Sequence, residues 1–342
     1  MDILNFHKRL IDNYKTYIQS FLSIKDPSIF KKVNDEIGNN KLWPDPLVQF
    51  NPTFESGRPI KALVEEELLH SEINNIFSGY KLYRHQEEAI KLGARGEEFV
   101  VTSGTGSGKS LTYMASIFTH VLKQGEAVND KIQAVVVYPM NALINSQFKE
   151  IEKYKLAYED KYKIPFPITF AQYTGQESEE QKEKIRQNPP HILLTNYMML
   201  ELVMTRSGRD VEIRQNFLEN IKYLVFDELH TYRGRQGSDV SILIRRIKSA
   251  ASNTITCIGT SATMVSGDST TLKEQKEKVA EVASTIFGSK IQANQIVNEY
   301  LVRSLRHGQS PTREDLHNAI ESEISINGTA DDFEKVMLLL IG

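Results

Sequence analysis

The sequence has a single cysteine, Cys257, so an internal disulfide framework is excluded and a reducing compartment is expected. Cys257 lies in an apolar run and reads as a buried small hydrophobe rather than a reactive thiol. No run of about 18 apolar residues occurs, so no membrane-spanning helix is expected. Met1 to Arg9 mixes charge with its apolar residues and has no signal-peptide core. These absences predict a cytoplasmic protein with no membrane partner. Basic charge is not in excess either: 41 Lys and Arg stand against 44 Asp and Glu, a formal net charge of −3. Any nucleic-acid contact must therefore come from local patches or helix N-termini. The only tryptophan, Trp43, sits beside Pro44 and reads as an anchor onto a core rather than a stacking platform. No internal repeat or low-complexity segment is present. What remains is a chain of 342 residues, 40% apolar and 25% charged, suited to a soluble globular protein of roughly two domains.

Residues 3–24 carry Leu4, Leu10, Ile11, Tyr14, Tyr17, Ile18, Phe21 and Leu22 at helical spacing. A looser stretch follows, broken by Trp43, Pro44, Asp45, Pro46 and Asn51-Pro52. Ile60 to Leu69 predicts a short helix. Residues 1–79 are thus expected to form a helical accessory region. From Leu82 the pattern changes to helices alternating with short β-branched strands. Predicted strands are 99–102, 134–138, 168–170, 191–195, 223–226 and 255–259, the last clear one. Runs such as Ala134 to Tyr138, apolar without alternation, are typical of parallel strands buried on both faces. The series predicts a doubly wound α/β domain with a mostly parallel sheet over residues 80–265. Beyond it, 266–342 is expected to be helical, with Val279, Val282, Ala283, Ile286 and Phe287 forming one apolar face and two further helices in 312–341.

Three polar clusters fall where such sheets bind ligands, at strand C-termini. The first is Ser103 to Ser110, between a strand and a helix. Gly104, Gly106 and Gly108 let the backbone curl and turn its N–H groups inward, and the helix adds its positive end. Thr105, Gly106, Ser107, Gly108, Lys109 and Ser110 would then cradle a nucleotide triphosphate, with the Ser110 hydroxyl serving Mg2+. The strict G-x-x-x-x-G-K-[ST] pattern is not met, because Ser103 stands at its first glycine. The second cluster is Asp227-Glu228-Leu229-His230, whose carboxylates can hold the metal and polarise an attacking water. The third is Gly259-Thr260-Ser261-Ala262-Thr263, whose hydroxyls can bridge the acidic strand end to a neighbouring domain.

Together these clusters resemble motifs I, II and III of superfamily 2 helicases of the DExH-box type, in which the first loop glycine is often replaced. Leu82 to Ile90 resembles their adenine-recognition segment, which would assign Gln86 to the base. Tyr138 through Gln147 resembles motif Ia, while Tyr173-Thr174-Gly175 and Thr195-Asn196-Tyr197 resemble the Ib-region elements. The resemblance implies a RecA-like P-loop NTPase fold flanked by helical segments, using ATP and Mg2+. It implies Lys109, Asp227 and Glu228 as catalytic residues, Ser110 and Asp227 as metal ligands, and His230, Ser261 and Thr263 as coupling residues. It implies nucleic-acid contacts at Pro139, Asn141, Gly175, Thr195 and Asn196, with DNA ahead of RNA as the track. The stretch Asp227 to Arg246, with Arg233 and Arg235, resembles large bacterial helicases of genome-maintenance and anti-phage defence systems, as does the leader Leu42 to Pro46.

In that family a second RecA-like lobe completes the ATP site, and its motifs are not found before Gly342. The expectation is a fragment or split chain that needs the second lobe in trans or in a longer chain, with other defence-system subunits as further partners. An ATP-binding lobe of a helicase or translocase, with slow hydrolysis and no unwinding alone, is the leading reading. The rivals are a nucleic-acid-binding module or a motor fragment of a multi-subunit defence or restriction complex. An unrelated P-loop kinase or GTPase conflicts with the pairing of Asp227-Glu228-Leu229-His230 and Ser261-Ala262-Thr263.

Overall fold

The computed structural model describes residues 3–38, 52–104, 106–208, 210–262 and 271–302. Trp43 and its leader, Thr105, Thr263 and the two helices expected within 312–341 lie outside the described residues. The chain divides into two compact units, Met1–Asn51 and Pro52–Gly342.

The first unit holds the helices Ile3–Ser20 and Pro27–Gly38. The second of these was not expected from the sequence. Gln19 Nε2 donates to Asn34 Oδ1 at 3.1 Å, tying one helix to the other. Phe6, Leu10, Tyr14, Tyr17 and Phe21, spaced by three and four, are all exposed along one stripe.

The second unit is built on a seven-stranded sheet. Its strands are β1 (Phe99–Thr102), β2 (Ala134–Tyr138), β3 (Phe170–Gln172), β4 (Ile192–Asn196), β5 (Tyr223–Phe226), β6 (Thr256–Ser261) and β7 (Ile296–Asn298). Their order is β7-β1-β6-β5-β2-β4-β3, and every neighbouring pair is parallel. The helices are α1 (Arg84–Ala94), α2 (Lys109–Gln124), α3 (Asn141–Tyr162), α4 (Glu179–Gln187), α5 (Tyr197–Thr205), α6 (Val211–Asn220), α7 (Gly234–Ala250) and α8 (Leu272–Phe287).

Alternate strand residues feed two cores, as a period of two requires. Val101, Ala134, Val136, Ile192, Leu194 and Val225 join one face, covered by apolar residues of α1, α2 and α3. Val100, Val135, Val137, Leu193, Leu224 and Cys257 join the other, covered by α5, α6, α7 and α8. Both faces are therefore dry, which explains the unbroken apolar runs in the sequence. Burial pushes the Cys257 thiol well above its ordinary range, in keeping with an inert core residue.

Three differences from the sequence reading have physical causes. Ile60, Leu63, Leu69, Ile73, Ile76 and Phe77 are buried in the same core as the sheet, and Phe77 stacks on Phe118 at 5.8 Å. These residues, expected within the N-terminal helical region, fall in the compact unit Pro52–Gly342. The sheet also does not stop at 259: β7 adds a seventh strand beside β1 and carries the α/β unit past residue 265. Finally, Val282, placed on the apolar face of α8, is 46% exposed, while its neighbours Val279, Ala283, Ile286 and Phe287 are buried. No helix among the described residues is long and apolar enough to cross a membrane.

Candidate nucleotide site

β1 is buried over all four residues and delivers the chain to the loop at the sheet's C-terminal edge. Ser103 and Ser107 are both fully buried, and their hydroxyls share a hydrogen bond of 2.6 Å. They brace the loop from within, so Ser107 can offer a phosphate its backbone but not its hydroxyl. Gly106 and Gly108 have φ of +81° and +69°. At Gly108 a Cβ would also come within 2.4 Å of Gln86 Nε2, so a glycine is required on two counts. α2 starts at Lys109 and points its free N–H groups into the loop.

Gln86 lies at the base of this arrangement. Its Oε1 accepts from Tyr83 N at 2.9 Å, and its Nε2 donates to Ser107 O at 3.1 Å and Gly108 O at 3.0 Å. Both amide hydrogens hold the loop, which leaves one carbonyl lone pair for a base. His85 assists: its Nε2 lies 3.0 Å from Ser107 O, so that nitrogen carries the proton, and burial pulls its pKa below the ordinary value.

Lys109 Nζ donates to Ser103 O at 3.1 Å and lies 3.4 Å from Glu228 Oε1. The loop and the acidic strand end, far apart in sequence, thus meet. β5 carries Asp227 and Glu228 at its end, next to β6, where Thr260 is fully buried. The Thr260 hydroxyl donates to Asp227 Oδ1 and accepts from Glu228 N at 3.1 Å, so one side chain orders both acids. Burial pushes the Asp227 carboxyl up to about 6, and the neighbouring Glu228 adds to the rise against the Thr260 bond and Lys109. Glu228 itself has φ +54°, a left-handed conformation uncommon outside glycine. Its Oε2 is buried and receives no hydrogen bond among the described residues.

This donor set fits a hard cation. Ser110 Oγ donates its hydrogen to Gln147 Oε1 at 2.7 Å, which leaves the oxygen's lone pairs for a metal. Among the described residues, the half-buried Asp227 carboxylate has Thr260 as its side-chain donor and no cation within hydrogen-bond distance. His230 links the acids to the third cluster. Its Nδ1 accepts from Ala262 N at 3.3 Å and lies 3.2 Å from both Ser261 Oγ and Glu228 Oε2.

The residues expected to meet nucleic acid lie at the ends of β2 and β4 and just after β3. Asn196 Nδ2 donates to Asn141 Oδ1 at 2.8 Å, and Asn196 Oδ1 caps α5 by accepting from Met199 N at 2.8 Å. Gly175 is exposed and Pro139 half-buried. Thr195 departs from expectation: it is 1% exposed and its hydroxyl donates to Tyr173 O at 2.6 Å, so it holds two loops together from below. Arg233 and Arg235 are exposed at the start of α7. Sequence reasoning missed Gln147, Thr260 and His85 as site residues. All three lie inside the runs it singled out, as polar residues beside the named ones.

A family profile for DEAD/DEAH box helicases matches residues 83–271. The ATP-dependent helicase MJ1574 of Methanocaldococcus jannaschii is 33% identical over 181 residues, which cover 52% of this chain and 25% of that protein. The Druantia protein DruE of Escherichia coli is 23% identical over an aligned length of 356 residues, covering 70% of this chain and 19% of DruE. The DUF1998 helicase MrfA, solved bound to DNA, is similar with a TM-score of 0.56 and 25% identity, over 73% of this chain and 29% of that one. The chain thus spans 25% of MJ1574 and 19% of DruE, well short of either length.

Proposed function

The chain belongs to the DEAD/DEAH box helicase family, and from that premise we propose that it is the ATP-binding lobe of a helicase or translocase of the DExH type, acting on nucleic acid with DNA as the track. The observation that carries the reading is the meeting of Lys109 Nζ with Glu228 Oε1 at 3.4 Å, beside Asp227 and the loop. Lys109 and the loop N–H groups hold the β- and γ-phosphates. Ser110 and Asp227 would supply oxygen ligands for Mg2+, which would neutralise charge on the transferred phosphate. Glu228 Oε2, without a hydrogen-bond donor among the described residues, orients and deprotonates the attacking water. Gln86 reads the base through its remaining lone pair. His230, Ser261 and Thr263 relay the state of the acids to the strand track, formed by Pro139, Asn141, Gly175 and Asn196, with Thr195 supporting from below.

A second reading is favoured by the similarity to DruE: the chain serves as a nucleotide- and nucleic-acid-binding motor component of a larger assembly, working with a second RecA-like lobe. The similarity to DruE supports an anti-phage defence setting. Phosphate release from ATP by the full chain, with and without single-stranded DNA, tests both. Slow hydrolysis that rises with DNA supports the motor lobe. Nucleotide and DNA binding without hydrolysis supports the component of an assembly, and no ATP binding at all contradicts both.

A further inference from the structure

Gly104 opens the phosphate loop, and its backbone N–H donates to Glu299 Oε2 at 2.7 Å. Glu299 follows β7, whose last residue Asn298 pairs with Thr102 at the end of β1. Thr102 Oγ1 donates to Asn298 Oδ1 at 2.6 Å, and Glu299 N donates to Thr102 O at 3.1 Å. The end of the last sheet strand is therefore zipped to the beginning of the loop. The next residue reaches the base side of the site. Tyr300 OH donates to Glu88 Oε2 at 2.8 Å, and the Arg84 guanidinium lies 4.1 Å from its ring centroid. Both Arg84 and Glu88 are on α1, the helix that carries Gln86. Leu301–Val302 then pairs with Thr53–Phe54. Residues 298–302 form a strap from the phosphate loop to the base-side helix.

A carboxylate next to an anion-binding loop adds charge of the wrong sign for a triphosphate. Its favourable effect is geometric. A charge-assisted bond fixes a glycine that has no side chain of its own to hold it, at the point where the loop leaves β1. We infer that Glu299 is a positioning residue of the nucleotide site: through the Gly104 N–H it holds the first turn of the phosphate loop, so that the later N–H groups stay aimed at the phosphates. The inference rests on the reading of this loop as an ATP site.

The test is equilibrium binding of a fluorescent ATP analogue, mant-ATP, to the full chain in Mg2+ buffer, for wild type, Glu299→Ala, Glu299→Gln and Tyr300→Phe. Glu299→Ala removes the acceptor and is expected to weaken binding about tenfold. Glu299→Gln keeps a carbonyl oxygen in reach of the Gly104 N–H and is expected to stay within about threefold of wild type. Tyr300→Phe cuts the strap's bond to Glu88 and is expected to leave affinity within about twofold. Melting temperatures without nucleotide accompany each titration. A merely weakened strap would lower affinity in step with melting temperature, and in Tyr300→Phe as much as in Glu299→Ala. Wild-type affinity or tighter binding in Glu299→Ala overturns the role of Glu299. So does a Gln variant as weak as the Ala variant, or an equal loss in Tyr300→Phe. A wild type that binds no mant-ATP instead contradicts the nucleotide-site reading itself.

Discussion

Lys109 Nζ stands 3.4 Å from Glu228 Oε1, with the two side chains only 10% and 21% exposed. Each is the other's near counter-charge, and the pair ties the loop to the end of β5. Lys109→Ala removes the ammonium and is expected to lower ATP affinity by about one to two orders of magnitude, the range of charge-assisted hydrogen bonds. Isothermal titration with ATP checks this, and an undiminished affinity contradicts Lys109 as the phosphate ligand.

Thr260 is the residue on which both acids depend, since its hydroxyl touches Asp227 Oδ1 and Glu228 N. Thr260→Val leaves those two groups without this partner and is expected to destabilise the protein by about 1–3 kcal/mol. It also pushes the Asp227 carboxyl above its value of about 6, because the lost bond is one that favours the charged form. Thr260→Ser keeps the hydroxyl and should restore most of the stability. Urea denaturation of the pair measures the difference.

Gly108 combines φ +69° with a Cβ position only 2.4 Å from Gln86 Nε2. Gly108→Ala must push Gln86 off the loop or distort the N-terminus of α2. The expected cost is about 1–3 kcal/mol of stability, with a parallel loss of nucleotide binding. Thermal melts with and without ATP separate the two effects: the variant should melt lower and gain less from ATP.

His85, His120 and His191 are all held below the ordinary histidine pKa of 6.5, in each case first by burial. The native state therefore binds fewer protons than the unfolded chain once pH falls below 6.5, and stability drops with it. Their contribution is full above that value and is lost as pH falls towards the lowered folded pKa values. The histidines act to lower the melting temperature at about pH 5.5 relative to about pH 7.5, opposed by Asp227, whose raised pKa of about 6 lets the native state gain a proton over the same window. His85→Gln, which keeps a donor for Ser107 O, should show a shallower fall. A variant as pH-sensitive as wild type would remove His85 from the account.

Much of this was legible in the residues because the sheet is buried on both faces. Ala134 to Tyr138 and Tyr223 to Phe226 are unbroken apolar runs, and the structure gives them the same bounds. β7 was hidden because Ile296-Val297 is a short apolar pair set between Gln295 and Asn298. α6 was hidden because its apolar residues Ile213 and Phe217 are separated by charged and polar ones. In the site, spacing made Lys109, Asp227 and Glu228 visible. Thr260 and Gln147 act through single hydrogen bonds across strands, and a lone hydroxyl or amide leaves no pattern in a sequence. The loss of Thr195 as a surface contact has the same origin, since a strand-end threonine looks alike whether its hydroxyl faces solvent or Tyr173 O.

The central claim is that Glu228 activates water at an ATP site built on Lys109, Ser110 and Asp227. The most direct measurement is a paired one on wild type and Glu228→Gln: ATP binding by titration, and phosphate release in Mg2+ with single-stranded DNA. The account predicts that Glu228→Gln binds ATP within about threefold of wild type and releases phosphate at least about a hundredfold more slowly. Equal rates of phosphate release in the two proteins would contradict it.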